Sequence, residues 1–109
     1  MRQAAVYRNQ ELAGYLTEES RQRYVFRYDD NWLADVNKPA ISLTLPKSQI
    51  PYESDGLFPF FANLLSEGVN RHLQSTQLRI DENDSFGLLL ATAQYDTIGA
   101  ITLRPVPAL

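Results

Sequence analysis

A few groups of residues are of the types that chemistry uses, and their spacing decides what each can do. His72 is the single histidine of the 109-residue chain, and there is no cysteine. A His/Cys metal centre needs several ligands at defined separations, and His72 has no acid at ligand spacing, so it makes no metal site. Without cysteine, disulfides and thiolate catalysis are also removed. As a general base His72 would need a nucleophile, but the serines sit in loops and caps without a motif such as G-x-S-x-G. Asp81-Glu82-Asn83-Asp84-Ser85 invites a calcium loop. That reading fails on spacing: Phe86 stands where the loop needs Gly, and Thr92 where it needs the bidentate Glu. An acid-rich loop capping a helix is the better account, because carboxylates favour helix N-termini. Asp29 and Asp30 are consecutive turn residues rather than a converging pair, and Asx turn chemistry explains them. The five glycines are scattered and form no phosphate-binding loop. Arg21, Arg23 and Arg27 recur on one strand face, too few for nucleic acid on a chain of net charge −3. They read as a solvated sheet face, or as a docking surface for an acidic partner. No residue set nominates a reaction or a cofactor, and the chain reads as a binding domain.

The elements that would position these groups follow from periodicity. Ala4–Arg8 and Leu12–Thr17 predict two short strands around a turn at Asn9, with Leu12, Gly14 and Leu16 on one face. From Gln22 to Tyr28 the pattern alternates, with Tyr24, Phe26 and Tyr28 pointing to a core and the arginine row and Val25 pointing away. After the Asp29–Asn31 turn, Trp32 and Leu33 return to the core. Ile41–Leu45, between Pro39 and Pro46, predicts a short strand, and 47–56 a loop. Leu57–Gly68 predicts a short buried helix, with Leu57, Phe60, Phe61, Leu64 and Leu65 on one arc and Phe58 at its margin. Pro59 falls in the first turn, where its missing N–H costs nothing. Val69, Leu73, Thr76 and Ile80 would line a second helix. Ser85 would cap a third, striped by Phe86, Leu89, Leu90 and Ala93. Ile98–Leu103 predicts a closing strand, and residues 104–109 an extended tail. Strands, then helices, then one strand imply an α+β fold: a small antiparallel β-sheet with about three helices packed on one side.

The bulk numbers fit one domain over 1–109: 44% hydrophobic and 21% charged residues is ordinary for a soluble protein. No run reaches membrane-spanning length, and the first residues carry no apolar signal core. A cytoplasmic, membrane-independent protein is the expectation.

The order of the motifs carries more than any one of them. Val6-Tyr7 with the Asn9 turn and Gly14-Tyr15-Leu16 comes first, then Tyr24–Tyr28 with Trp32-Leu33-Ala34, then Pro39–Pro46. Phe60–Gly68 follows, then Phe86-Gly87-Leu88-Leu89, and finally Asp96–Ile101. In this order, over roughly residues 4 to 105, the chain resembles the N-terminal subdomain of HipA-type serine/threonine kinases, toxins of bacterial toxin–antitoxin modules. It departs from the family pattern at Gln10, Ser66, Val69 and Gln94, where relatives carry Gly, Pro, Trp and Gly.

The resemblance implies a role without catalysis, since the phosphate loop, catalytic Asp and metal-binding Asp of a kinase are missing from this stretch. It points to the free-standing small protein of a three-part HipBST-like module, an antitoxin of the HipS type. Such a protein supplies the subdomain missing from a separate kinase toxin, HipT, and neutralises it. A HipB-like DNA-binding protein would join through the complex, with no direct nucleic-acid contact by this chain. The kinase-facing surface expected from the resemblance is the corner Ser66, Glu67, Gly68, Val69, Asn70, Arg71 and His72; a solvated helix start is the plain alternative for the same residues. Two other roles fit the same fold: an assembly subunit that bridges kinase and DNA-binding protein without inhibiting, and the excised N-terminal domain of a full-length HipA kinase.

Overall fold

An antiparallel hairpin opens the chain because two alternating apolar segments flank a two-residue turn. In a computed structural model, which describes residues 2–64, 73, 75–81, 83–92 and 101–106, strands β1 (Arg2–Arg8) and β2 (Glu11–Ser20) pair in register Ala4↔Leu16 and Val6↔Gly14. Asn9 and Gln10 have φ of 50° and 68°. Both positions of a two-residue hairpin turn of this hand need positive φ, which Asn tolerates and Gln adopts at a cost of about 1 kcal/mol. The register shifts between Val6 and Tyr7, so that Tyr7 faces Leu12 and Ala13 is an extra residue. This bulge corrects the expected shared face of Leu12, Gly14 and Leu16. Ala13 is fully buried, while Leu12 turns to the side of the sheet that carries Tyr7 and is half-buried.

Strand β3 (Arg23–Tyr28) pairs with β2 as Leu16↔Phe26, and β4 (Tyr52–Ser54) pairs with β3 as Val25↔Glu53. Strand β5 (Ile101–Val106) returns to β1, giving the order β4-β3-β2-β1-β5, antiparallel throughout. The tail expected from residue 104 is therefore sheet as far as Val106, and residues 98–100 of the expected closing strand lie outside the described residues. Strand β4 falls inside the expected 47–56 loop, its three residues being too few to show a period.

The aromatic row of β3 organises everything on one side of the sheet. Tyr24, Phe26 and Tyr28 are buried, while Arg23 and Arg27 are exposed on the other side, as alternation predicts. Each ring meets a different element. Helix α1 (Asp30–Ala34) is capped by the Asp29 carboxylate, which accepts from Asn31 N–H at 3.1 Å, the Asx role expected of this turn. It buries Trp32, whose Nε1 donates to the Pro39 carbonyl at 2.9 Å. Helix α2 (Pro59–Ala62) starts on Pro59 and places the fully buried Phe61 ring 5.6 Å from that of Phe26. Burying such a ring stabilises by roughly 2–3 kcal/mol. Phe58 is buried with it rather than marginal, Phe60, Leu57 and Leu64 pack half-buried against the core, and Leu65 lies outside the described residues. Helix α3 (Ser85–Thr92) puts Phe86 6.1 Å from Tyr24 and buries Leu88 and Leu89. Gly14 lies under this layer: a Cβ there would come within 2.4 Å of the Arg27 carbonyl oxygen and 2.9 Å of the Phe26 ring.

The segment Ile41–Leu45 is a tight turn with a single Ser42↔Leu45 bridge, not the expected strand. Leu45 N–H donates to the Ser42 carbonyl at 3.2 Å, so the ends converge and Ile41 and Leu45 both enter the core while Leu43 is 98% exposed. The Tyr28 hydroxyl holds this turn by accepting from Ile41 N–H at 3.1 Å and donating to the Leu45 carbonyl. Backbone at residues 75–78 is helical. It ends where Arg79 takes φ 56° and Ile80 N–H reaches the Ser75 carbonyl at 3.0 Å, a left-handed stop with six-to-one closure. Of the stripe expected there, Ile80 packs on the core, whereas Leu73 and Thr76 are exposed and Val69 lies outside the described residues. The α+β architecture with helices on one side of an antiparallel sheet stands.

Candidate functional site

Two surfaces gather charged side chains, and they differ in whether those charges are satisfied. The first lies at the end of the core face, where β1, β2 and β3 bring Arg2, Glu18 and Tyr24 into one lateral row through Arg2↔Glu18 and Glu18↔Tyr24 pairing. Arg2 Nε donates to Glu18 Oε1 at 2.9 Å, and its two terminal nitrogens grip Asp84 at 3.0 and 2.7 Å. The Tyr24 hydroxyl donates to Glu18 Oε2 at 2.7 Å. Asp84 sits here because it, and not the expected Ser85, caps α3: its Oδ1 accepts from Gly87 N–H at 3.0 Å and its carbonyl from Leu88 N–H at 3.0 Å. A Cβ on Gly87 would fall 2.3 Å from Asp84 Oδ2, so the glycine leaves room for the clamp.

The electrostatics of this cluster follow from its contacts. The guanidinium of Arg2 holds the Asp84 carboxyl below its ordinary value, and Asp84 in turn raises Arg2. Burial, reinforced by the hydrogen bond to Glu18, pushes the Tyr24 hydroxyl up to about 12, so it stays a proton donor. A cleft of about 530 Å³ opens beside these residues, with Arg21, Leu57 and Asp81 on its wall. Arg2 has its donors turned to Glu18 and Asp84 rather than into this cleft. The cluster is therefore a structural clamp that joins the first strand to the N-terminus of α3. Among the described residues no group of three or more His, Cys, Asp and Glu could hold a metal ion, and no helix among them is long and apolar enough to cross a membrane.

The second surface is the outer face of the sheet. Arg27 lies over the Tyr15 ring at 5.2 Å and Arg104 over the Tyr7 ring at 4.9 Å. Both arginines are exposed and both rings half-buried. Arg23, expected in the same row, is bound instead to Glu19 and Glu53, and Arg21 lies in the turn beside the cleft. Arg104 gives no signal in the sequence, since the pattern there predicts a strand only as far as Leu103. The expected kinase-facing residues Ser66, Glu67, Gly68, Val69, Asn70, Arg71 and His72 all lie outside the described residues.

Comparison with known proteins gives this geometry its context. A family model described as the HipA N-terminal domain matches residues 4–104. The structure is similar to a solved "N-terminal domain of HipA toxin", with a TM-score of 0.74 and 31% identity over 100% of this chain and 96% of that one. An uncharacterized protein of Haemophilus influenzae is 35% identical over 104 residues, 95% of this chain and 92% of that protein. A Sinorhizobium fredii protein named "Putative kinase Y4mE" is 31% identical over 94 residues, 86% of this chain but 22% of that protein. The matched region is the N-terminal domain of HipA and not its kinase catalytic domain. On the sequence match and the shared α+β architecture together, the chain belongs to the HipA N-terminal domain family.

Proposed function

We propose that this chain is a HipS-like antitoxin: it binds a separate HipA-like serine/threonine kinase, HipT, and neutralises it by occupying the place of the N-terminal subdomain. The observation that carries the reading is the pair of relatives. The same domain is nearly the whole of the Haemophilus influenzae protein and about a fifth of a protein named as a kinase. A domain found both ways can dock on a kinase as a separate chain wherever the fused copy would sit. Inhibition then requires only that it bind the inactive kinase better than the active one. The domain itself performs no catalysis in this reading, acts in the cytoplasm, and meets a HipB-like DNA-binding protein only through the kinase. In this reading the inhibitory contact is made by residues 66–72.

The test is growth of cells that express the kinase with this chain and without the DNA-binding protein. Rescue of growth supports an antitoxin. No rescue, with the two proteins still co-purifying, replaces it by the non-inhibitory bridging subunit. Substituting Val69→Asp and Arg71→Glu should abolish rescue; retained binding and rescue would remove residues 66–72 from the interface.

A further inference from the structure

The outer face of the sheet carries two cations that the fold does not use. Register places them in one straight row across four strands: Arg104 opposite Ala5, Ala5 opposite Tyr15, and Tyr15 opposite Arg27. With neighbouring strands about 4.8 Å apart, the backbones of Arg27 and Arg104 are about 14 Å apart. Three other cations of the sheet and its adjoining loop are engaged in ion pairs, and Arg8, at the end of β1 opposite the buried Ile101, lies on the other side of the sheet. Arg2 holds Glu18 and Asp84, Arg23 holds Glu19 and Glu53, and Lys38 holds Glu11. Arg27 and Arg104 have no carboxylate partner among the described residues, although the whole chain has 13 acidic against 10 basic side chains. Each rests on a tyrosine ring. Stacking on a ring face orients a guanidinium while leaving its in-plane N–H groups free, the arrangement that receives a carboxylate with two hydrogen bonds. Between them the row holds Ala5, only 7% exposed, and the half-buried Tyr15, and Glu53, at the sheet edge, is already taken by Arg23.

We propose that this face anchors an acidic patch of the partner kinase, Arg27 and Arg104 each receiving one carboxylate of that patch from its place over a tyrosine ring. The inference rests on the kinase-binding reading above and adds to it a surface chosen by charge on the outer side of the sheet. Stacked arginines over a sheet face supply orientation and encounter rate, so they matter most at low salt.

The experiment measures binding of the 109-residue chain to the purified HipA-like kinase of the same genome by calorimetry, with circular dichroism as the check on folding. Arg27→Glu with Arg104→Glu should weaken binding on the order of 100-fold in dilute salt, and Arg27→Gln with Arg104→Gln on the order of 10-fold. The neutral pair carries the test should the reversed pair fail to fold. Raising the salt should weaken the wild-type complex more than that of the Gln pair. Folded variants that bind as tightly as wild type overturn this face while leaving the kinase-binding reading intact. A wild-type chain that does not bind the kinase overturns both. Binding of a DNA duplex that the Gln pair abolishes, with kinase binding unchanged, overturns the acidic-protein assignment in favour of nucleic acid.

Discussion

Replacing Asp84 by Ala removes two interactions at once, the N-cap of α3 and the two-pronged grip on Arg2. Loss of the cap costs about 1 kcal/mol. The ion pair is partly exposed, with side-chain accessibilities of 41% and 32%, so solvent screening limits it to about 0.5–1 kcal/mol. Asp84→Ala should therefore lower stability by about 2 kcal/mol, whereas Asp84→Asn, which keeps an acceptor for Gly87 N–H, should lower it by about half as much. Urea unfolding at constant slope reads this as a midpoint shift of about 1–2 M for Ala. The pH dependence has a definite sign. The folded carboxyl lies below its unfolded value because Arg2 favours the charged form, so its stabilisation is present above the unfolded value and is lost as pH falls through the folded one. The gap between wild type and Asp84→Asn should be full at neutral pH and close on acidification below the ordinary carboxyl value of 3.8. A gap unchanged by acid, or an Ala variant no less stable than the Asn variant, would refute the division into cap and clamp.

Two further substitutions probe features on which the fold depends. Tyr28→Phe removes the hydroxyl that joins Ile41 N–H to the Leu45 carbonyl and leaves both buried groups unpaired. It should cost about 1–3 kcal/mol, with faster hydrogen exchange at the Ile41 amide. Gln10→Gly relieves a left-handed residue at φ 68° and should stabilise by about 0.5–1 kcal/mol, read as a higher melting temperature.

What the sequence alone determined was local. Alternation in Arg23–Tyr28 placed three aromatic rings on the core side because successive strand residues face opposite ways, and the structure buries all three. Asn9 marked the first turn because it tolerates positive φ, and Pro59 marked the start of α2 because that position needs no N–H. The Asp81–Ser85 run was legible as a capping loop, but which residue caps was not: Asp84 does so, and its carboxylate also holds Arg2, 82 positions away. Tertiary structure alone decided the remaining features. The bulge at Ala13 turns Leu12 away from Gly14 and Leu16, which period-two reading cannot foresee when one residue is extra. Ile41–Leu45 alternates like a strand yet closes into a turn, because the Tyr28 hydroxyl satisfies its backbone from within the core. For the outer face, Arg27 was legible as outward-pointing, but its companion was not. Arg104 joins it only because β5 returns to pair with β1, and the register between strands far apart in sequence is set by the whole sheet closing, not by either segment.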